Sequence, residues 1–401
     1  MPTNSPSGLP ADGGFILLAA QSGRALAAAA RRAGLRPLVA DLFGDTDTRA
    51  LAEHYRPLRG QFGFSIDGTS VLGALEELVA AAEGEPIGIV LGSGFEAAPD
   101  VVETIASRFR LFGAGANTLR ILKDPIRFAA ILDRIGIQHP AVSLGSVADP
   151  DNWLAKRAGA SGGTHIGPAL SGLPEDGTYY QRRVVGEQRS FAFLADGRCA
   201  QVFAVTAQWT SPSVRAPHRF GGGLYPGACP PTVMREAKRG LDAIVAETGL
   251  QGLASADCLV DGENWWLLEV NPRPGATLDV LDRRTRPLLL DHIEACLGRL
   301  PPIESMPRAA ATTIVYASRP LPDVPVIDWP DHVFDRPEPG SRIPPDGPVC
   351  TVFADGDNAA AALDLLDRRV QDVRRTLRIE EYEHGCCVGS PERERACCAA
   401  C

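Results

Sequence analysis

The chain has 401 residues, of which 45% are hydrophobic and 22% are charged, values that are ordinary for a globular protein. With 40 Lys and Arg against 49 Asp and Glu, its formal net charge is −9, which argues against a general nucleic-acid-binding protein. It contains no run of about 18 apolar residues, so we expect no membrane-spanning helix and no membrane partner, and we expect the protein in the cytoplasm.

The two ends of the chain differ in composition from its body. Residues 1–12 are rich in Pro, Ser and Gly and have neither a basic flank nor an apolar core, so they predict a disordered leader rather than a signal peptide. Residues 381–401 are charged and hold five of the ten cysteines. We expect a disordered tail there; the alternative is a soft-metal or redox site, because thiolates bind soft metals.

Residues 13–115 alternate apolar runs with amphipathic stretches. This alternation predicts a parallel sheet covered by helices, and therefore an N-terminal α/β domain. The turns lack the Gly-x-Gly-x-x-Gly spacing, so we predict no dinucleotide-binding fold. Strands are predicted at residues 15–20, 36–42 and 87–91, and helices at 23–32 with Ser22 as the cap, at 69–83 and at 99–109.

The second region, residues 116–300, begins with a clear helix start. Asp124 suits the N-cap and Pro125 suits the first helical position, and Gly136 is expected to end the helix. Beyond it we predict strands at 153–157, 179–195 and 199–208, a Gly- and Pro-rich loop at 212–231, a helix at 232–248, and a hairpin of 256–260 with 265–270.

After about residue 300 the composition becomes Pro-rich. Strands are predicted at 312–317 and 349–353 and a helix at 358–377, which together predict a third, small α+β domain.

The predicted hairpin carries a candidate metal site. Glu269 and Asn271 lie two residues apart on one strand and therefore share a face, and the short turn places Asp257 nearly opposite Glu269. Three oxygen-bearing side chains favour Mg²⁺, and Arg273, which follows directly, can bind a phosphate through two N–H groups. The alternative is an exposed hairpin with solvated acids.

Two further segments suit a nucleotide. Lys156 ends a predicted strand and precedes a loop with Gly162 and Gly163, whose backbone N–H groups can fold over phosphates. The stretch from Gln181 to Val184 can present backbone groups to an adenine edge. Taken singly, the first is equally a plain turn and the second a plain strand.

Taken in chain order, these elements resemble the ATP-grasp superfamily. The segment with Asn117, Lys123-Asp124-Pro125, Gly136 and Pro140 is similar to the one that opens the ATP-grasp core. The resemblance implies an ATP-grasp fold of α/β and α+β character, with an N-terminal parallel α/β domain at 13–115, an ATP-grasp domain at 116–300 with a lid subdomain at about 141–208, and a small C-terminal α+β domain at 301–380.

The resemblance also implies roles for individual residues. It implies Mg²⁺ (or Mn²⁺) ligands at Asp257, Glu269 and Asn271, and catalytic roles for Lys156 and Arg273. ATP contacts are implied for Lys123, Lys156, Gly162, Gly163, Gln181, Arg182, Val184, Gln188 and Arg273. Pro125 and Gln188 depart from the family, which more often has a lysine and an acid at those places.

Within the superfamily the chain is most similar to predicted ATP-dependent carboligases, through residues 92–96 and 269–279. Relatives of this type include the ligase that joins glutamate to tyramine in methanofuran synthesis. The resemblance implies an ADP-forming ligase that joins a small carboxylate to an amine through an acyl phosphate, with glutamate ligation in one-carbon cofactor synthesis as the specific expectation. The alternatives are the ATP-dependent component of a carboxylase and a non-catalytic ATP-binding scaffold.

The loop at 212–231 is a candidate substrate-binding segment. It holds Arg215, His218 and Arg219, and an arginine there could hold a substrate carboxylate; the alternative is a solvated basic loop. Thr277 and Asp279 either contact substrate or cap a helix. A homodimer is the base-rate expectation for the assembly.

Overall fold

A computed structural model describes residues 13–379, so the predicted leader and the predicted cysteine-rich tail lie outside the described residues. The strands form three sheets, of five, four and eight strands. Between residues 13 and 379, no helix is both long enough and apolar enough to cross a membrane.

The first sheet has five parallel strands in the order β3-β2-β1-β4-β5. Alternate residues of its central strand pack into two different cores, Leu17 with Leu75 and Leu18 with Leu26, which is why that strand reads as a continuous apolar run. The strands are β1 (Phe15–Ala19), β2 (Arg36–Asp41), β3 (His54–Pro57), β4 (Ile89–Leu91) and β5 (Leu111–Phe112). The helices are α1 (Arg24–Arg32), α2 (Thr46–Leu51), α3 (Gly68–Ala81) and α4 (Pro99–Arg108).

Three short elements of this region, β3, α2 and β5, are not predicted by the sequence pattern because each is too short to show a period. The predicted cap of α1 is wrong. Gly23 is the N-cap, and the hydroxyl of Ser22 instead donates to Asp335 Oδ1 at 3.2 Å, across to the C-terminal part of the chain.

Two helices follow, α5 (Ala116–Leu122) and α6 (Pro125–Ile135). The predicted boundaries of α6 are confirmed: Asp124 Oδ1 accepts the N–H groups of Ile126 and Arg127 at 3.0 Å, and Gly136 ends the helix in the left-handed conformation. Since α6 begins directly after Lys123, this cap also fixes where that lysine stands.

The second sheet has four antiparallel strands in the order β6-β9-β7-β8. They are β6 (Val142–Ser143), β7 (Trp153–Arg157), β8 (Ile166–Pro168) and β9 (Thr178–Arg182). The single strand predicted over 179–195 is wrong, because the chain leaves this sheet after Arg182 and starts a new strand at Glu187 in the next one.

The third sheet has eight strands in the order β14-β13-β10-β11-β12-β15-β17-β16. They are β10 (Glu187–Asp196), β11 (Ala200–Thr210), β12 (Phe220–Tyr225), β13 (Gln251–Asp261), β14 (Asn264–Asn271), β15 (Ala309–Tyr316), β16 (Val333–Phe334) and β17 (Pro348–Gly356). The remaining helices are α7 (Pro231–Thr248), α8 (Leu278–Leu281), α9 (Leu288–Cys296) and α10 (Ala359–Leu377).

Two features of the third sheet differ from expectation. The loop predicted over 212–231 contains β12, because Gly221 to Gly223 let the strand pass close under neighbouring backbone and the Trp209 ring. The C-terminal strands β15, β17 and β16 continue the same sheet through β12, so residues 309–356 build no sheet of their own.

His292 of α9 ties the first sheet to the third. It is fully buried; its Nδ1 accepts the N–H of Leu253 on β13 at 2.8 Å, and its Nε2 lies 3.1 Å from the carbonyl oxygen of Phe112 on β5. Burial lowers the pKa of His292 to about 4, so the ring is neutral in the folded protein at neutral pH.

This histidine predicts a stability loss in mild acid. The unfolded chain protonates His292 below about pH 6.5 and the folded chain only near pH 4, so the unfolded state gains protons first and stability falls between those values, by about 3 kcal/mol for this residue. Urea unfolding of wild type and His292→Gln at pH 7 and pH 5 measures it. We expect the wild type to lose more stability than the variant over this interval; equal losses would contradict the assignment.

Candidate active site

The β13–β14 hairpin brings the three predicted metal ligands together. Asp257 stands directly opposite Glu269, and Asn271 Nδ2 donates to Asp257 Oδ2 at 2.8 Å. A bulge between Asp257 and Cys258 produces this pairing: counted from the turn pair Asp261 and Asn264 without a bulge, Asp257 would face Leu268. The bulge therefore aligns the two carboxylates.

Two half-buried acids side by side repel each other, and their pKa values move apart. Burial, together with the charge of Glu269, raises the pKa of Asp257. Burial would also raise the pKa of Glu269, but the positive charges of Lys123 and Lys156 outweigh it and lower that pKa. Lys123 Nζ lies 3.2 Å from Asn271 Oδ1 and 3.6 Å from Glu269 Oε2, so a cation already balances part of this charge.

The donor set fits a hard divalent cation. Two carboxylates and one amide supply oxygen ligands, and a bound Mg²⁺ would relieve the repulsion between Asp257 and Glu269. Ser190 Oγ donates to Asp257 Oδ1 at 2.6 Å and fixes its orientation. Within residues 13–379, no group of three or more His, Cys, Asp and Glu side chains has the arrangement of a metal site, so this triad depends on its asparagine.

Lys156, at the end of β7, is buried beside the same acids. Its Nζ donates to Gln181 Oε1 at 3.1 Å. Burial alone would lower the pKa of Lys156, but the nearby Tyr179, Glu269 and Asp257 outweigh it and raise that pKa, so the lysine is charged. A buried ammonium of this kind supplies a fixed positive charge to phosphate oxygens.

The glycine loop after β7 is anchored on both sides. Gly162 accepts the N–H of Phe220 on β12 at 2.9 Å, and Ser161 donates its N–H to the Gly63 carbonyl at 3.0 Å. Gly162 and Gly163 both have positive φ, +71° and +73°. A Cβ at Gly163 would overlap the carbonyl oxygen of His218, whereas one at Gly162 would meet nothing within 4 Å. Only Gly163 is therefore required by packing.

These elements enclose one cavity of about 300 Å³. Its wall comes from the hairpin, the glycine loop, the turns after β1 and β4, and strands β15 and β17. The predicted residues in the wall are Lys156, Gly162, Gly163, Gln188, His218, Asp257, Glu269, Asn271, Arg273, Thr277 and Asp279. A smaller cavity of about 40 Å³ adjoins it, and Lys123, Gln181, Tyr179, His165 and Glu269 are among its wall residues.

Some predicted nucleotide contacts are not brought to these cavities. Neither Arg182 nor Val184 is in the wall of either. Arg182 is exposed, lies 5.9 Å from the centre of the Trp153 ring, and gives its backbone N–H to the Ala141 carbonyl at 2.8 Å. The N–H group of Arg182, which was predicted to contact adenine, is therefore already used in the pairing of β9 with the neighbouring segment.

The three residues predicted to contact substrate have different environments. His218 is in the cavity wall, and Arg215 is exposed outside it. Arg219 is fully buried: it donates to the Ser211 carbonyl at 2.9 Å and the Asp346 carbonyl at 3.1 Å, and stacks 3.7 Å from the Tyr316 ring centre. These contacts argue against the predicted substrate role of Arg219, because its guanidinium fastens the loop to the C-terminal strands.

Arg219→Met is therefore expected to reduce stability rather than substrate affinity. Breaking a buried charged contact costs about 3 kcal/mol, so the melting temperature falls, while KM values measured well below the transition stay close to wild type. The exposed Arg215→Met is the matched control and leaves the melting temperature unchanged. A large increase in KM without loss of stability in Arg219→Met would restore the substrate role.

Sequence reasoning missed the partner of Arg273. Arg273 Nε donates to Glu96 Oε1 at 2.7 Å, from the turn after β4. It also missed Arg24, which forms two hydrogen bonds of 2.5 Å with Asp279 and further ones with Asp335. One signal could have found both: the turns after parallel strands β1 and β4 meet at the same sheet edge, where ligands commonly bind.

Comparison with known proteins agrees with this geometry. Residues 123–277 match the ATP-grasp domain family. Among curated proteins, none matches the chain. The fold is similar to biotin carboxylase from Campylobacter jejuni (TM-score 0.66, 15% identity, 88% of this chain and 90% of that one). It is also similar to phosphoribosylglycinamide synthetase from Anaerococcus prevotii (0.64, 10%, 90% and 98%) and L-amino acid ligase from Bacillus licheniformis (0.61, 14%, 90% and 98%).

The chain therefore carries an ATP-grasp domain within an ATP-grasp fold that extends over most of its length. The sequence-based prediction of an ATP-grasp fold is confirmed, and the predicted ATP-grasp domain is matched over residues 123–277. At these low identities, the solved structures show similarity of fold alone.

Proposed function

We propose that the protein is an ATP- and Mg²⁺-dependent ligase that joins a small carboxylate to an amine through an acyl phosphate. The observation that carries the proposal is the meeting, in the wall of one cavity, of the Asp257, Glu269 and Asn271 oxygens with Lys156 and Arg273. The oxygen ligands can bind a divalent cation, and the positive side chains beside them can bind phosphate oxygens. Together they suit a polyphosphate that carries a metal ion.

The reaction balances without a protein nucleophile. A carboxylate oxygen attacks the terminal phosphorus of ATP, the bond from that phosphorus to the bridging oxygen breaks, and ADP leaves. An amine nitrogen then attacks the acyl carbon, the bond from that carbon to the phosphate oxygen breaks, and inorganic phosphate and a proton are released. Mg²⁺ held by the triad would offset charge on the phosphates.

This chain's residues position and shield the reactants. Lys156 and Arg273 supply fixed positive charge where charge develops on transferring oxygens. The loop with Gly162 and Gly163 forms part of the cavity wall, and over bound phosphates it would exclude water, which hydrolyses an acyl phosphate. Lys123, balanced between Glu269 and Asn271, completes the positive side of the nucleotide site.

A cluster of charges elsewhere in the cavity wall supports an amine as the acceptor. There Arg24 is buried between Asp279 and Asp335, so two carboxylates face one guanidinium in the wall. The local excess of negative charge favours a cationic group over a second anion. We therefore assign the amine to this part of the wall and the phosphates to the part with Lys156 and Arg273.

The finer proposal is that glutamate is the carboxylate, in one-carbon cofactor synthesis. Its support is the resemblance to carboligases that ligate glutamate; two of the structurally similar proteins are named as a phosphoribosylglycinamide synthetase and an L-amino acid ligase. The names of others are those of biotin carboxylases, so bicarbonate is the carboxylate to test against it.

The test is ATP turnover with defined substrate pools. ADP and phosphate are measured with Mg²⁺ and carboxylates alone, amines alone, or both, with glutamate and tyramine among them and with bicarbonate plus biotin as a separate arm. Turnover that requires both pools supports the ligase. Turnover only with bicarbonate and biotin would make the protein a carboxylase component, AMP formation would overturn the acyl phosphate, and tight ATP binding without turnover would favour a scaffold.

A further inference from the structure

Glu96 is a buried acid that the proposed reaction does not use directly. It stands in the turn after β4 and is 3% exposed. Its Oε2 accepts the N–H of Gly94 at 2.7 Å and of Phe95 at 3.1 Å, so its own turn holds the carboxylate in place. Its other oxygen accepts from Arg273 Nε at 2.7 Å, 177 residues further along the chain.

This carboxylate is charged despite its burial. Burial would raise the pKa of Glu96, but the positive charges of Arg273 and Lys123 outweigh it and lower that pKa. The side chains are 2% exposed for Glu96 and 13% for Arg273, so water screens the pair weakly. A buried pair with such geometry restricts the guanidinium far more than a surface ion pair would.

Arg273 is confined from two more directions. Its backbone N–H donates to the Asn271 carbonyl at 2.9 Å, which ties it to a candidate metal ligand. A Cβ at Gly275 would come within 2.7 Å of Arg273 Nη1, so Gly275 leaves the room that the guanidinium occupies. The bond to Glu96 uses Nε, and Arg273 borders the cavity that holds the triad and Lys156.

We propose that Glu96 is a positioning residue, which holds the guanidinium of Arg273 at the phosphate end of the cavity and so links the N-terminal sheet to the reacting groups. The inference rests on the proposed function, since it assigns Arg273 to phosphate oxygens. Glu96 acts through Arg273 and touches no reactant. Its removal lets the arginine adopt other rotamers, and misplacement of a catalytic group lowers the rate of the chemical step.

A double-mutant cycle tests this link. Wild type, Glu96→Gln, Arg273→Gln and the double variant are compared for kcat, for KM of ATP, and for calorimetric affinity toward Mg²⁺ and a non-hydrolysable ATP analogue. We expect Glu96→Gln to lower kcat by about 30-fold with little change in KM, Arg273→Gln to lower it further, and the double variant to match Arg273→Gln. Glu103→Gln, which removes an exposed acid paired with Arg120 on the neighbouring helix, is the control and stays at wild-type kcat.

The outcomes separate the two proposals. If wild type turns over and Glu96→Gln keeps full kcat, or if the two effects multiply in the double variant, the positioning role is overturned and the ligase proposal stands. If wild type binds the analogue without turnover, the ligase proposal fails, and the affinities of the four proteins for the analogue decide the positioning role. A double variant that loses no more affinity than Arg273→Gln supports the link between Glu96 and Arg273. A double variant whose loss of affinity is the product of the two single losses overturns it. If wild type does not bind the analogue, both proposals are overturned. Melting temperatures identify any variant that fails to fold.

Discussion

Glu269→Gln is expected to remove metal-dependent turnover almost completely, with a loss of at least about 100-fold in kcat. Glu269 stands opposite Asp257 and within 3.6 Å of the Lys123 ammonium, so it supplies one of two carboxylates to the candidate metal site. The amide keeps the size of the side chain but not its charge, and a hard cation binds it far more weakly. ADP formation at saturating ATP and Mg²⁺ measures the loss.

A second readout separates metal binding from folding. Without metal, Glu269→Gln should melt somewhat below the wild-type temperature, because Lys123 and Lys156 lose the carboxylate that lies beside them, and the end of its repulsion with Asp257 offsets only part of this loss. The rise in melting temperature caused by Mg²⁺ and nucleotide should disappear. Glu263→Gln, an exposed change in the turn of the same hairpin, is the control and keeps both activity and the rise. A Glu269→Gln variant that retains the rise would refute the metal assignment.

Gly163→Ala is expected to disable the glycine loop, with a loss in kcat/KM for ATP of about 100-fold. The added methyl group would overlap the His218 carbonyl oxygen, so either the glycine loop or the backbone at His218 must move. Gly163 and His218 both line the cavity that Lys156 also lines, and a shift of either segment would misplace the glycine loop relative to the phosphates. Initial-rate kinetics with varied ATP measures the effect.

Gly162→Ala is the matched control for this experiment. It has nearly the same positive φ but space around the added methyl, so it bears only the conformational penalty of about 1–2 kcal/mol. We expect a lower melting temperature in both variants and a large kinetic loss only in Gly163→Ala. Equal kinetic losses would mean that backbone strain, rather than contact with His218, controls the loop.

Much of the local chemistry could be predicted because it depends on near neighbours in the chain. The Asp124 cap and the Gly136 stop define α6, since both act within one helical turn. The two-residue spacing of Glu269 and Asn271, and their order after Lys156 and its glycines, identify an ATP-grasp domain, which the match of residues 123–277 confirms. Spacing and order are properties of the chain itself.

The completed site required the tertiary structure. Pattern alone places Asp257 within about one residue of its partner, and only the bulge in β13–β14 puts it opposite Glu269. From the sequence, Arg219 is predicted to bind substrate, but in the structure the C-terminal strands bury it against Tyr316 and Asp346. Bulges and burial arise from contacts between distant segments, and no local pattern records them.

The sequence by itself therefore determined the ATP-grasp domain and the ends of α6, and it predicted the oxygen ligands of the candidate metal site. Only the tertiary structure decided that β15 to β17 extend the central sheet and that Glu96 reaches Arg273 across 177 residues. The physical reason is the range of the interactions: capping and strand alternation act over a few residues, whereas strand order and buried ion pairs depend on which distant segments the folded chain brings together.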